Sequence, residues 1–220
     1  MHVETLEQNM SYRLRGLIFD IDGVLFDSRS SNMEYYNMIR RVVQLPPLTP
    51  EEEDYCHMAS AEQALAHIIP PEYREEAEKA CSAINYRKQI LPLLSVEPGL
   101  LELLHWLKVY DVRLGICTNR GSAVDELLRY FSLESFFFPI MTSRICPPKP
   151  YPDGLLRILD EWRLKPSEVA FLGDSKVDEQ AAAGAGVPFW AYRSPFLTAE
   201  LHFDGFFNMI TLITPLVEGR

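Results

Sequence analysis

Asp20 and Asp22 lie two residues apart, behind an apolar run (Leu17, Ile18, Phe19) and ahead of Gly23. Carboxylates this close repel unless a cation sits between them or one keeps its proton. The spacing therefore suits a metal site or an acid/base pair. Three more stretches carry polar residues at the ends of apolar runs or in loops: Thr118-Asn119, Lys149, and Asp174 with Asp178. Asp20 and Asp174 offer the hard oxygen ligands that Mg²⁺ takes together with water and phosphate oxygens. Thr118 offers a hydroxyl, Asn119 a backbone or side-chain donor, and Lys149 a point charge. Such a set can cradle a phosphoryl group by fixed electrostatics, and an aspartate can act as the nucleophile. Each residue also has a plainer use. Thr118-Asn119 and Asp174-Ser175 can cap helices, Asp178 can sit in a helix first turn, and Lys149 can be a solvated charge.

The elements that must position these residues follow from hydrophobic spacing. Apolar runs at 14–20, 112–117, 136–141, 169–172 and 188–192 read as strands, with a short one at 206–209. Helical patterns lie between them, at 98–109, 121–131, 152–163 and 178–184, with a closing helix to about 217. Strands alternating with helices predict a parallel, doubly wound α/β sheet. All strand carboxyl ends then share one edge, where ligands bind, and the four polar stretches converge there. Residues 29–94 hold no strand pattern. Helices are expected at 29–45, 51–68 and 72–90, an all-helical block inserted after the first strand. Residues 1–12 read as a loose tail or a short edge segment. The aromatic run Phe136, Phe137, Phe138 reads as core strand.

Composition narrows the function classes. The chain has 220 residues, 47% hydrophobic, with a net charge of −10. An acidic protein does not attract nucleic acid or anionic membrane non-specifically. No apolar run has membrane-spanning length, and residues 1–15 do not read as a signal peptide. The four cysteines (Cys56, Cys81, Cys117, Cys146) are scattered without a CxxC pair, so zinc and a disulfide framework are not expected. Reduced thiols and a cytoplasmic location are the default expectation.

The order of the motifs resembles the haloacid dehalogenase-like hydrolase superfamily. Asp20-Ile21-Asp22-Gly23-Val24-Leu25 is similar to its first motif, DxDGxL. Thr118 resembles the strand-end Ser or Thr of the second, and Lys149-Pro150-Tyr151-Pro152-Asp153 the third, KPxPD. Gly173-Asp174-Ser175 through Asp178, followed by 181–186, resembles the fourth, GDSxxDxxAAxxAG. The helical block resembles the cap of the phosphoglycolate phosphatase and β-phosphoglucomutase branch. The departure is Pro147-Pro148 ahead of the lysine, where the family usually has glycine.

The resemblance implies an α/β core at 13–27 and 96–217 with an inserted helical cap at 28–95. It implies Asp20 as nucleophile and Asp22 as general acid and then base, carrying a proton in the first step. Mg²⁺ would be held by Asp20, the Asp22 carbonyl and Asp174, with Asp178 supporting from behind. Thr118, Asn119 and Lys149 would hold phosphoryl oxygens. The implied activity is Mg²⁺-dependent hydrolysis of a small phosphate monoester, phosphoglycolate being the nearest substrate. A phosphomutase would share every core residue. A dehalogenase would need the nucleophile without the metal, and a catalytically silent binding protein would keep the scaffold alone. Of the cap residues Arg40, Arg41, His57, His67, Tyr86, Arg87 and Lys88, none is singled out as a substrate contact. Arg144 is a candidate anion contact from the core.

Overall fold

The computed structural model describes residues 13–121 and 123–218; the tail or edge segment expected at 1–12 lies outside them. Strand β1 (Gly16–Phe19) opens the core and is followed by the short β2 (Phe26–Asp27). Five helices come next: α1 (Arg29–Val42), α2 (Pro50–Met58), α3 (Ala61–Ile68), α4 (Arg74–Ala83) and α5 (Tyr86–Gln89). The chain returns through β3 (Ser95–Val96) and continues as α6 (Leu100–Val109), β4 (Arg113–Cys117), α7 (Val124–Tyr130), β5 (Ile140–Met141) and α8 (Asp153–Trp162). It ends with β6 (Val169–Gly173), α9 (Lys176–Ala185), β7 (Phe189–Tyr192), β8 (Leu201–Phe203) and α10 (Phe206–Glu218).

Six strands form one parallel sheet in the order β5-β4-β1-β6-β7-β8. The chain therefore winds from β1 to one side and then, starting at β6, to the other. The crevice beyond β1 lies at the switch of direction, where doubly wound sheets bind ligands. Side chains of β1 alternate between two cores, as the strand period requires. Leu17 and Phe19 join α6, α7 and α10 on one face, while Ile18 joins α8 and α9 on the other. Burial on both faces explains why β1 and β6 read as unbroken apolar runs. The cap helices have their own small core of Met33, Tyr36, Ile39, Cys56, Ala64 and Ile68. The expected class, a doubly wound parallel sheet with an inserted helical cap, is what the chain forms.

Several expected elements differ, each for a local reason. The helix expected at 51–68 is two. Ser60 ends the first and caps the second, its Oγ accepting from the Gln63 N–H while Gln63 Oε1 accepts from the Ser60 N–H, a reciprocal capping box. The helix expected at 72–90 breaks after Ala83, and Asn85 caps the short α5 by accepting from the Lys88 N–H. The strand expected at 136–141 shrinks to Ile140–Met141. Pro139 has no N–H to give a ladder, and the aromatic run divides, with Phe137 buried and Phe138 68% exposed. The last strand is Leu201–Phe203, and residues 206–209 open the closing helix instead. That strand buries Leu201 and Phe203 and exposes His202; three alternating residues are too short a pattern to outweigh the apolar residues that follow.

Chain exit to the cap and return from it run side by side. Phe26 and Asp27 pair antiparallel with Val96 and Ser95, outside the main sheet. The Glu97 N–H donates to Leu25 O at 3.0 Å and extends the junction by one bond.

Candidate active site

Asp20 is the first residue past β1, and its N–H donates to Leu172 O of β6 at 2.9 Å. A tight turn follows. The N–H groups of Leu25 and Phe26 both reach back to Ile21 O, and Gly23 takes φ +74°, a region side chains with a Cβ disfavour. Glycine is needed for a second reason. A Cβ at Gly23 would stand 2.0 Å from Asp174 Oδ2.

The strand ends bring the expected residues together. Lys149 Nζ lies 2.8 Å from Asp20 Oδ1 and 2.6 Å from Asp178 Oδ1, with all three side chains buried. Asp178 also accepts at Oδ2 from the Ser175 N–H, the Ser175 hydroxyl and the Asp174 N–H. It thus caps α9 from the first turn while its other oxygen meets Lys149, and it is buried rather than exposed. Thr118, buried at the tip of β4, accepts from the Arg120 N–H at 3.1 Å and lines the cavity.

Asn119 does something other than offer its side chain to an anion. Its Oδ1 accepts from the Lys149 N–H at 2.7 Å. Its Nδ2 donates to Lys149 O and to Met58 O, both at 3.0 Å. The amide is consumed in holding the Lys149 loop and the end of α2. Only its backbone remains for a ligand.

Asp22 also departs from expectation. Arg120 grips it with two bonds, Nε to Oδ2 at 2.7 Å and Nη2 to Oδ1 at 2.6 Å, and Asn32 Nδ2 adds a third to Oδ1 at 2.9 Å. Burial opposes ionisation of Asp22, but the Arg120 charge and hydrogen bonds outweigh it and hold the carboxyl well below the usual range. This pairing favours the carboxylate, whereas the resemblance implies an Asp22 that carries a proton in the first step. Asp20 shows the opposite balance. Burial, and then the neighbouring carboxylates Asp178, Asp174 and Asp22, push it up to about 8 against the attraction of Lys149. Asp174 is likewise raised, chiefly by burial.

Three carboxylates, Asp20, Asp174 and Asp178, each place one oxygen within 4.8 Å of the others. A hard divalent cation fits this donor set. The ligand atoms are carboxylate oxygens, three carboxyl groups meet a single ammonium, and the missing Cβ of Gly23 leaves Asp174 its position. Mg²⁺ binds through one or two carboxylates plus water and phosphate oxygens.

Above these groups is a cavity of about 210 Å³. Its cap side includes His57 and Tyr86. His57 Nε2 sits 3.5 Å from Asp174 Oδ2, and this contact raises its pKa. The Tyr86 hydroxyl accepts from Arg120 Nη1 at 2.5 Å. Arg120, Tyr86 and His57 line the cavity outside any motif, Tyr86 and His57 being among the cap residues that the sequence does not single out. Arg120 adjoins Thr118-Asn119 in sequence, but no spacing rule says that its side chain folds back over Asp22. The other cap cations lie elsewhere. Arg40 pairs with Glu52 inside the cap and Arg41 with Glu34. Arg144 is exposed and is not part of the cavity wall.

A parallel sheet with paired aspartates past its central strand, a buried lysine bridging to a third carboxylate and a helical cap make this a capped α/β protein with an acidic site at the switch point of its sheet. The chain belongs to the haloacid dehalogenase-like hydrolase family, whose model matches residues 17–192. A haloacid dehalogenase-like hydrolase domain-containing protein of Arabidopsis thaliana is 32% identical over 182 residues, covering 80% of this chain and 69% of that one. The phosphoglycolate phosphatase of Chromobacterium violaceum is 28% identical over 183 residues, covering 79% and 82%. Among solved structures, a subfamily IA hydrolase from Geobacter sulfurreducens superposes with a TM-score of 0.74 at 40% identity, covering 91% of this chain and 96% of that one. The expected family and class of enzyme agree with these findings.

Proposed function

We propose that this enzyme is a Mg²⁺-dependent phosphatase that hydrolyses a small phosphate monoester through an aspartyl-phosphate on Asp20. The observation that carries the reading is the Lys149 ammonium set between Asp20 and Asp178, with Asp174 alongside, at the floor of a cavity. The division of labour follows the core at 13–27 and 96–217 and the cap at 28–95.

An Asp20 oxygen attacks phosphorus, and the bond from phosphorus to the ester oxygen breaks. The electron pair stays on that oxygen, which takes a proton from Asp22 once that carboxyl has left the Arg120 pair and taken one up from solvent. Water then attacks the phospho-aspartate and gives a proton to Asp22, releasing inorganic phosphate and restoring Asp20. Lys149, the Thr118 hydroxyl and the Asn119 N–H hold phosphoryl oxygens. Asp20, the Asp22 carbonyl and Asp174 would hold the cation, with Asp178 behind them; its charge would keep Asp20 ionised and offset the charge of the phosphoryl group. Cap residues over the cavity exclude water and select the substrate.

The cavity is smaller than a typical drug-sized site, which favours a short substrate, and 2-phosphoglycolate is the nearest choice. The test is turnover of a panel of phosphate esters by purified protein with Mg²⁺ or with chelator. Release of phosphate that requires the metal and disappears in Asp20→Asn supports the reading. No turnover of any ester, or full activity in chelator, overturns it.

A further inference from the structure

Asp22 is engaged before any substrate arrives. Both its oxygens accept from the Arg120 fork, and Asn32 takes a further position on Oδ1. A carboxyl held this way has both oxygens tied to the guanidinium and about three of its four acceptor positions taken. Four of the five N–H donors of Arg120 are in use. Nε and Nη2 hold Asp22, Nη2 also donates to Asn32 Oδ1 at 2.9 Å, and Nη1 donates to the Tyr86 hydroxyl. The acid/base residue of the core is thus tied to two cap residues through one guanidinium.

That guanidinium also lies in the cavity wall. Its planar fork matches an oxyanion bidentately as well as it matches Asp22. The other fixed cation of the wall, Lys149, is committed to Asp20 and Asp178 on the floor. Among the described residues lining the cavity, Arg120 is therefore the fixed cation able to turn toward a second negative group.

We propose that Arg120 is a latch that the substrate itself releases: an oxyanion carried a short distance from the phosphate ester takes the Arg120 fork against the cap and frees Asp22 for the leaving oxygen. This rests on the phosphatase reading above and specifies its substrate class, a small phosphate ester bearing a second anionic group. A neutral ester of equal size enters the same cavity but leaves the latch shut. Selectivity then comes from a bond exchanged inside the site, and unmatched phosphate esters are spared because the acid stays occupied.

The test compares 2-phosphoglycolate and ethane-1,2-diol bisphosphate with the neutral 2-hydroxyethyl phosphate, in wild type, Arg120→Met and Arg120→Lys. Wild type should favour at least one anionic ester over the neutral one by about tenfold or more in kcat/KM, the scale of a charge-assisted bidentate contact. The ratio between the two anionic esters tells carboxylate from phosphate as the natural key. Arg120→Met should cross over, losing on the anionic ester while gaining several-fold in kcat on the neutral one. Arg120→Lys should keep an intermediate preference. A merely structural role would lower all esters together, so parallel losses in Arg120→Met overturn the latch. Equal kcat/KM for anionic and neutral esters in wild type also overturns it, while leaving the phosphatase reading intact. Failure of wild type on every ester is the separate failure of that reading.

Discussion

The Lys149 ammonium stands between two carboxylates, 2.8 Å from Asp20 and 2.6 Å from Asp178, with its side chain 2% exposed. Burial alone would favour the neutral amine, but Asp178 and Asp20 overcome it and raise its pKa. Removing one partner of a buried charged set leaves the others uncompensated, at a cost of about 3–5 kcal/mol. Lys149→Met should therefore lower stability on that scale in chelator, read by urea unfolding. It should also lower kcat by about 10²-fold or more, as expected for a lost oxyanion donor. Lys149→Arg should not restore activity, because a planar fork does not fit where a compact ammonium is enclosed. Wild-type kcat in Lys149→Arg would refute the assignment.

Asp20 and Asp22 should fail in different ways. Asp20→Asn should form no phospho-enzyme with any ester. Asp22→Asn should still be phosphorylated by p-nitrophenyl phosphate, whose leaving group needs little protonation, but should be slowed most on alkyl phosphates. Acid-quench trapping of labelled phosphate on the protein distinguishes the two. Equal slowing of good and poor leaving groups in Asp22→Asn would count against its acid role.

Gly23→Ala tests the space given to Asp174. The backbone there has φ +74°, and the added methyl would fall 2.0 Å from Asp174 Oδ2. Left-handed backbone costs a residue with a Cβ about 1–2 kcal/mol. Displacing the carboxylate should also weaken Mg²⁺ binding by about 10–100-fold, the range seen when a ligand's supports are lost. Calorimetric titration with Mg²⁺ measures the second effect and thermal unfolding in chelator the first. Unchanged metal affinity would remove Asp174 from the ligand set.

The cap has its own pH dependence. Glu52 accepts from the Thr49 N–H at 2.8 Å and pairs with the buried Arg40 at 2.8 Å. Burial opposes its ionisation, but these partners lower its pKa. A lowered carboxyl contributes stability that is present above its unfolded value, near 4.5, and lost as pH falls through its folded value. Glu52→Gln keeps an amide able to cap α2 but loses the ion pair. It should cost about 1–2 kcal/mol at pH 7, and the difference from wild type should shrink toward zero near pH 3. A difference that does not change with pH would show that packing, not charge, is lost.

Much of the core was legible because strand ends share an edge. Asp20, Thr118, Lys149 and Asp174 could be brought together without coordinates, since each follows an apolar run or a motif loop. What escaped lay in side-chain direction and in short breaks. Arg120 was visible beside Asn119, but its turn over Asp22 depends on Tyr86 and Asn32, which reach it from the cap. Tyr86 in turn depends on the break at Asn85, where a continuous helical pattern hides a cap. The Ser60-to-Gln63 capping box was present in the sequence, yet the apolar spacing ran across it and favoured one long helix. From the sequence Asn119 offers either its backbone or its side chain as a donor, and its place at a strand tip does not choose between them. Only the fold shows the Lys149 backbone already bound to the side chain.

The antiparallel pairing of Phe26–Asp27 with Ser95–Val96 brings the two cuts in the sequence next to each other in space. No strand of the six-stranded sheet lies between those cuts. Residues 28–94 could be lengthened, rebuilt or exchanged between relatives while the register that sets Asp20 beside β4 and β6 is undisturbed. Such an exchange would be felt at the strand ends only where core side chains also answer to the insert, as those of Asp22, Asn119, Arg120 and Asp174 do.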